Sequence, residues 1–463
     1  MIRLNFKKEN DFVNPADFGF SPNSTGVENQ IALQKALDIG GMIVVSEQGT
    51  YKLAGTVFVG SHTHLIFGYN VFIKKVNERG DFTHVILNKG ALTKTYDEHI
   101  TIENLYIIVN NIDVRVFQVF GLHGQIAFFY IKDLKIDGFR CMDLGKWQYG
   151  IHICTFEDIT VNDVSIKGDK DGVHLGRGKR FRISNGVFET FDDAVALNAH
   201  DYDVGNPELG WIEDGIVENC HDLNAERTTG YFCRILAGAW VDWYAGMEVQ
   251  KSDTVASCGR LYRVKAEPDG IVYESKTQPT HQSGSMVIDG ITWVVVQDDV
   301  TYTAGVRNVI FHNIFLRKSR IAAFSIHFDN DKYSRSYYPG ACSPTHENIT
   351  FDSIRVLHDE KFDFLSINTP INMLTISNSS FKNNSIRFHS NKAMNDYFIT
   401  KINIYGCVFC KNGEMDLVVN NVENKEIELK TSSNIEIHDD FIANVISGEG
   451  KISVNSDLKG LIK

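Results

Sequence analysis

The segments ITVNDVSI at residues 159–166 and FRISNGVF at 181–188 are two copies of one pattern. Two apolar residues alternate with polar ones, an Asn, Asp or Gly opens a bend, and a second short apolar alternation follows. The pattern recurs in ITIENLYI (100–107) and FYIKDLKI (129–136) upstream, and in VIFHNIFL (309–316), ITFDSIRV (349–356), LTISNSSF (374–381) and INIYGCVF (402–409) downstream. With the second apolar residue as marker, Ile102, Ile131, Val161 and Ile183 are 29, 30 and 22 residues apart. Period-two alternation describes short strands with one buried face, and the bend residue tolerates the left-handed backbone of a corner. Such a coil cannot bury its apolar face alone, so it stacks on neighbours about 4.8 Å away and pairs with them in parallel. The expected fold is therefore all-β: one single-stranded right-handed parallel β-helix from about Met42 to the C-terminus, a single domain over 1–463.

Outside the repeat, NPADFGF (14–20) and the helix-forming VENQIALQKAL (27–37), apolar at Ile31, Ala32 and Leu37, form an expected N-terminal cap over about 14–40. Terminal repeats need such a cover for the open end of the core. From about 237 to 303 the pattern lapses into short hairpins punctuated by Gly, Pro and Asp, which predicts an inserted small β module. DNDKYSRSYYPGACSPTHE (329–347) reads as a long loop on one flank.

Composition narrows the partners. The chain has 463 residues, 43% hydrophobic and 22% charged, enough to build a large core. A net charge of -12 disfavours nucleic acid, whose phosphates call for a basic surface. It leaves an acidic sugar open, since a few local Arg or Lys side chains serve one carboxylate. No apolar run approaches a membrane span, and Met1–Asn14 lacks the apolar core of a secretory signal. The expectations are then no membrane partner, and either a cytoplasmic chain or one whose signal has been removed. The eight cysteines are scattered, and Cys407-Val-Phe-Cys410 lacks the second pair of a metal knuckle, so neither metal nor cofactor is expected.

The chemistry concentrates in GDKDGVHLGRGKRFRISNGVFETFDDAVALN (168–198), which holds Asp169, Asp171, Asp192 and Asp193 in consecutive coils. The 22-residue shift from Val161 to Ile183 maps Val173 onto Val195 and Asp171 onto Asp193, with Asp192 at the same edge. A single Asp here reads as a corner residue. Like charges one rung apart destabilise a sheet and push one pKa up, so a cluster marks a working site. His174 and His200 flank it and are candidates to tune an acid. Arg177, with Lys179, Arg180 and Arg182, forms a basic run that is either a solvated face or a carboxylate subsite. Of the five tryptophans, Trp240 and Trp243 are candidate sugar platforms and Trp293 the core of the insert.

These two coils resemble the active-site region of family 28 glycoside hydrolases, the polygalacturonase group of the pectate-lyase-like β-helices. That family shows Asn-Thr-Asp-Gly, Gly-Asp-Asp, Gly-His-Gly and Arg-Ile-Lys. Here Asp169-Lys170-Asp171-Gly172 keeps the last two residues of the first motif, and Phe191-Asp192-Asp193 keeps both aspartates of the second. Arg234-Ile235-Leu236 lacks the Lys of the fourth, and no Gly-His-Gly occurs. The resemblance implies an inverting hydrolase in which Asp192 protonates the leaving oxygen, Asp171 and Asp193 deprotonate the attacking water, and Arg234 binds substrate. Inversion calls for an acid and a base about 6.5 to 9.5 Å apart. Two other readings stay open: a polysaccharide lyase, with Ca²⁺ on acidic residues and an Arg or Lys as base, and a β-helix adhesin that binds glycan without cleaving it. The insert, GRLYRV to GITW, resembles modules of phage tail proteins.

Overall fold

The bend residues of the repeat are where the chain turns. In the computed structural model, Asn104, Gly138, Asp163, Asn185, Asn219, Asn313 and Asn378 all have positive φ, and so do His99, Asp133, Asp158, Arg180, Asp214 and Asn308 five or so residues earlier. Six of these coils therefore have two left-handed corners bracketing one strand, conformations that Asn and Asp tolerate better than other non-glycine residues. Corner amides also join neighbouring coils, Asn313 Nδ2 donating to Asn219 Oδ1 at 2.7 Å.

The structure describes residues 12–202, 205–223, 229–265, 270–330, 334–381 and 384–388, together with the backbone of short strands at 402–405, 408–409, 417–419, 427–431 and 452–454. The chain is a right-handed parallel β-helix. Two strands of each coil join a long parallel sheet, and the third joins an eleven-stranded parallel sheet that runs from Gly49–Leu53 to Val408–Phe409. Inward residues stack in register: Ile102, Ile136, Val161, Ile183, Val217, Phe311, Phe351 and Ile376 follow one another on successive rungs. All are fully buried.

Two details differ from the sequence reading. The marker Ile131 pairs with Asp97 and Phe156, and the residue stacked on Ile102 is Ile136. Asp133 is the corner before the strand rather than after it, and apolar alternation on both sides of a corner fits either placement. A further coil, Ile212–Glu218 followed by His221–Asp222, was hidden by Gly215, whose missing side chain is replaced by the Phe181 ring of the coil before.

The cap is the helix Gly26–Ile39, started by a capping box between Thr25 and Glu28. Its core face is Asn29, Ala32, Leu33, Ala36 and Leu37, while Ile31, expected inward, is exposed. The insert is closed where Gly238–Ala239 pairs antiparallel with Thr303–Ala304, and its five-stranded sheet packs around Trp293 and Tyr262, both 0% exposed. The loop from 329 lies against it: Arg335 Nε donates to Asp253 Oδ1 at 2.5 Å and Tyr338 Oη to the Glu248 carbonyl at 3.0 Å. Cys407 and Cys410 lie outside the described residues.

Aromatic rings fill the later coils. Phe324 is fully buried and lies 5.4, 5.1, 4.7 and 5.5 Å from the rings of Phe232, Phe311, Phe351 and Phe364. Phe324→Ala is expected to cost about 3 to 5 kcal/mol, read as a lowered urea midpoint. An unchanged midpoint would mean that this ladder does not hold the later coils together.

Candidate active site

Three adjacent coils build the site. Lys170 and Asp171 occupy the corner between Ser165–Gly168 and Val173–Leu175, and Asp192 and Asp193 the same corner one coil on, between Val187–Thr190 and Val195–Asn198. The strands that follow are in register with the 22-residue shift, Val173 on Val195 and Leu175 on Leu197. Backbone bonds from Gly172 N to Asp193 O (2.9 Å) and from Ala194 N to Tyr231 O (3.0 Å) carry that register through the corners. Asp193 therefore sits above Asp171, and Tyr231 N donates to Asp193 Oδ1 at 2.7 Å. From a later coil, Arg320 pairs with Asp222 at 2.8 and 3.0 Å and donates to the Asp192 carbonyl at 3.0 Å, which fixes the corner from behind.

One oxygen from each of Asp171, Asp192 and Asp193 lies within 4.8 Å of the other two. This is tighter than the opening expected of an inverting pair. The cation facing the cluster is the chain's own: Lys170 Nζ bonds Asp192 Oδ2 and lies 3.9 Å from Asp171 Oδ1. Asp171 and Asp193 are 3% and 2% exposed. Burial, reinforced by the Asp192 charge, pushes Asp171 up to about 8 and Asp193 well above the usual carboxylate range. Burial acts on Asp192 as well, but Lys170, Arg234 and Arg320 outweigh it and hold Asp192 below that range. The resting proton thus sits on the buried aspartates and not on Asp192, the reverse of the sequence expectation. The reversal comes from three cations, Lys170 one coil shift away and Arg234 and Arg320 from later in the chain, of which Lys170 acts most strongly.

Of the two histidines, the structure brings only His174 to the cluster. It is wholly buried, not outward-facing, with Nδ1 2.8 Å from Asp171 Oδ2 and Nε2 3.4 Å from Asp201 Oδ2. Its ring stacks on Tyr149 at 4.1 Å, and burial lowers its pKa to about 4, so it is neutral. Asp201 accepts from Asn198 Nδ2 and Tyr202 N. Among the described residues His174 Nε2 has no hydrogen-bond partner, so the 2.8 Å contact with Asp171 is the bond that orients its ring. His200 lies elsewhere, with Nε2 3.2 Å from Thr254 Oγ1 and its ring 6.0 Å from Trp240, at the joint with the insert.

Arg234 projects from Cys233–Leu236 over the Tyr202 ring at 5.6 Å, and its Nη2 donates to Asp329 Oδ2 at 2.6 Å. Arg177 is spent on Glu208 (2.8 Å) and Asp299 (2.6 Å), and Arg180 on Asp158 (2.6 Å), so the basic run is a ladder of ion pairs rather than a free subsite. The platform expectation also needs correction. Trp240 is 2% exposed and its Nε1 donates to the Thr301 carbonyl, while Trp243 Nε1 donates to Ser275 Oγ at 2.8 Å; both indoles belong to the insert's packing. The exposed indole is Trp147, 53% exposed, two residues before Tyr149, with the Arg115 guanidinium 4.8 Å from its ring. Sequence reading missed Lys170, Tyr149, Asp201 and Asp329. The coil shift reaches the first two, since residues 149 and 171 are also 22 apart.

No protein-family model matches this chain, and no curated protein matches it. Among solved structures it is similar to the family 28 exopolygalacturonase of Yersinia enterocolitica, at 10% identity and a TM-score of 0.47, over 96% of this chain and 78% of that one. It is similar to PfbA, a surface adhesin of Streptococcus pneumoniae, at 14% identity and a TM-score of 0.45, over 95% and 93%. It is also similar to the tailspike protein of E. coli bacteriophage HK620 in complex with pentasaccharide, at 11% identity and a TM-score of 0.46, over 98% and 77%. These likenesses concern the course of the backbone and leave the chemistry of the site to its own residues.

The buried proton gives the site a stability signature. An Asp whose folded pKa is raised binds a proton in the folded state that the unfolded chain has already lost, so stability falls as pH rises from about 4 to about 8. Asp171→Asn removes that loss. The variant is expected to gain in Tm over the parent as pH rises through this window, with little difference below pH 4; a gain independent of pH would contradict the raised pKa.

Proposed function

We propose that the protein hydrolyses glycosidic bonds in a polysaccharide or oligosaccharide at the Asp171–Asp192–Asp193 corner, with inversion. The observation that carries this reading is the meeting of three carboxylates within 4.8 Å, two of them buried and Asp192 partly exposed, with the shifts that burial and Lys170 impose supporting unlike protonation. Acid and base from neighbouring carboxyls in unlike environments are what glycoside hydrolysis requires. The half-intact Asp171-Gly172 and Asp192-Asp193 motifs support the same chemistry by resemblance.

In the working state Asp192, at 27% side-chain exposure, protonates the leaving oxygen, and Asp171 and Asp193 hold and deprotonate the water. Two adjustments follow from the resting geometry. The proton has to pass from the buried pair to Asp192, and Asp192 has to swing away by a few ångströms to admit water between acid and base. Arg234, fixed by Asp329 and Tyr202, supplies a constant positive field rather than a mobile ligand. This also argues against a lyase, because a guanidinium whose pKa is raised by Asp329 and its neighbours is a poor base, and the Lys170 ammonium stands where a cation would go. Trp147, the exposed indole, is the candidate to meet a sugar face.

A screen of plant and bacterial polysaccharides should yield new reducing ends, with no ultraviolet-absorbing unsaturated product and no loss in a chelator. Asp192→Asn is expected to lose at least about 100-fold on natural glycan yet retain more on an activated aryl glycoside, which needs little protonation; Asp171→Asn and Asp193→Asn should fall alike on both. Proton NMR of the early product should show the inverted anomer. Retention would instead make Asp192 a nucleophile.

A further inference from the structure

We propose that Lys170 is a counter-ion switch: an anionic group on the bound sugar draws the Lys170 ammonium from Asp192, and the proton held by Asp171 passes to Asp192, arming acid and base in one step. This rests on the hydrolase reading and adds to it a residue, a selectivity and a trigger.

The geometry singles out Lys170. Its side chain and that of Asp192 are 20% and 27% exposed, whereas Asp171 is 5% exposed, so this ion pair is the part of the cluster that a sugar meets. The charges facing Asp192 come from several packed elements: Lys170 and Asp171 on the preceding coil, Asp193 beside it, Arg234 on the following coil and Arg320 beyond. Two of these cations are committed. Arg234 bonds Asp329 at 2.6 Å, and Arg320 holds both oxygens of Asp222 while 4% exposed. Lys170, an ammonium on a flexible stem, is the one placed to change partner. Its next carboxylate is Asp171, at 3.9 Å, and Asp193 also acts on it.

The exchange balances without any added reactant. The Lys170–Asp192 ion pair, the protonated Asp171 and an incoming carboxylate become a Lys170–carboxylate pair, a protonated Asp192 and an ionised Asp171. The transfer has a driving force: Lys170 is the strongest of the three cations, with Arg234 and Arg320, that keep Asp192 ionised, and the Asp192 charge raises Asp171 by more than Lys170 lowers it. A neutral sugar leaves the pair intact and the acid unarmed.

The test follows the Asp171 and Asp192 carboxyls by ¹³C NMR titration in the full chain. Lys170→Met keeps the apolar stem and removes the charge; the Asp192 midpoint is expected to rise by more than about one pH unit and the Asp171 midpoint to fall. Lys170→Arg, which keeps the charge, should restore the parent order, and its fold provides the control if the Met variant is unstable. In the parent, at least one of oligogalacturonate, oligomannuronate and a hyaluronan tetrasaccharide should move the two midpoints in the same opposite directions, and its methyl ester should not. An Asp192 midpoint unmoved in Lys170→Met, or unmoved in the parent by all three uronates, overturns the switch. Failure of the hydrolase reading is distinct: no glycan yields reducing ends, while the midpoints still respond to Lys170.

Discussion

In-register parallel stacking is the constraint on which the rest of this molecule depends. Each coil lies about 4.8 Å from the next, so whatever occupies one position faces its counterpart across that gap. For apolar residues the rule is favourable throughout, and it produces the continuous column from Ile102 to Ile376. For corner residues it is favourable where amides bond amides, as at Asn219 and Asn313. For carboxylates it is unfavourable, because like charges are brought to a distance at which they cannot all ionise in a buried site.

The stretch at Asp171 and Asp193 is where the molecule bears that unfavourable case. Three means contain it: a proton kept on the buried members, a lysine laid on the third, and Arg234 and Arg320 held behind. None is independent of the others, since the positive charges are themselves fixed by Asp329 and Asp222. The result is a site whose charge state is poised by one partly exposed ion pair, the member of the cluster that solvent and substrate reach more readily than its buried neighbours.

The insert and the long loop serve this arrangement from outside the coils. Arg335 ties the loop to Asp253 in the insert, and Asp329, at the start of the same loop, ties it to Arg234. Arg177 joins the coils to Asp299 at the far end of the insert. His200, Trp240 and Trp243, which by sequence alone look available to a ligand, are consumed in making that joint.

By itself the sequence determined the repeat, the parallel β-helix, the capping helix, the insert and the aspartate corner, because each rests on local periodicity or on a spacing within one or two coils. Period-two alternation with Asn or Asp at the bend survives translation along the chain, and the 22-residue shift suffices to superpose Asp171 on Asp193. The same locality misplaced Ile131, since alternation reads alike on both sides of a corner, and it hid the coil at Gly215, whose core side chain is lent by Phe181. Only the tertiary structure decided which aspartate carries the proton and which aromatic and basic residues meet solvent. Those properties depend on burial and on charges brought from 95 to 128 residues away, Arg320 to the Asp192 corner and Asp329 to Arg234, which no local pattern encodes; Lys170, one coil shift from Asp192, is within its reach.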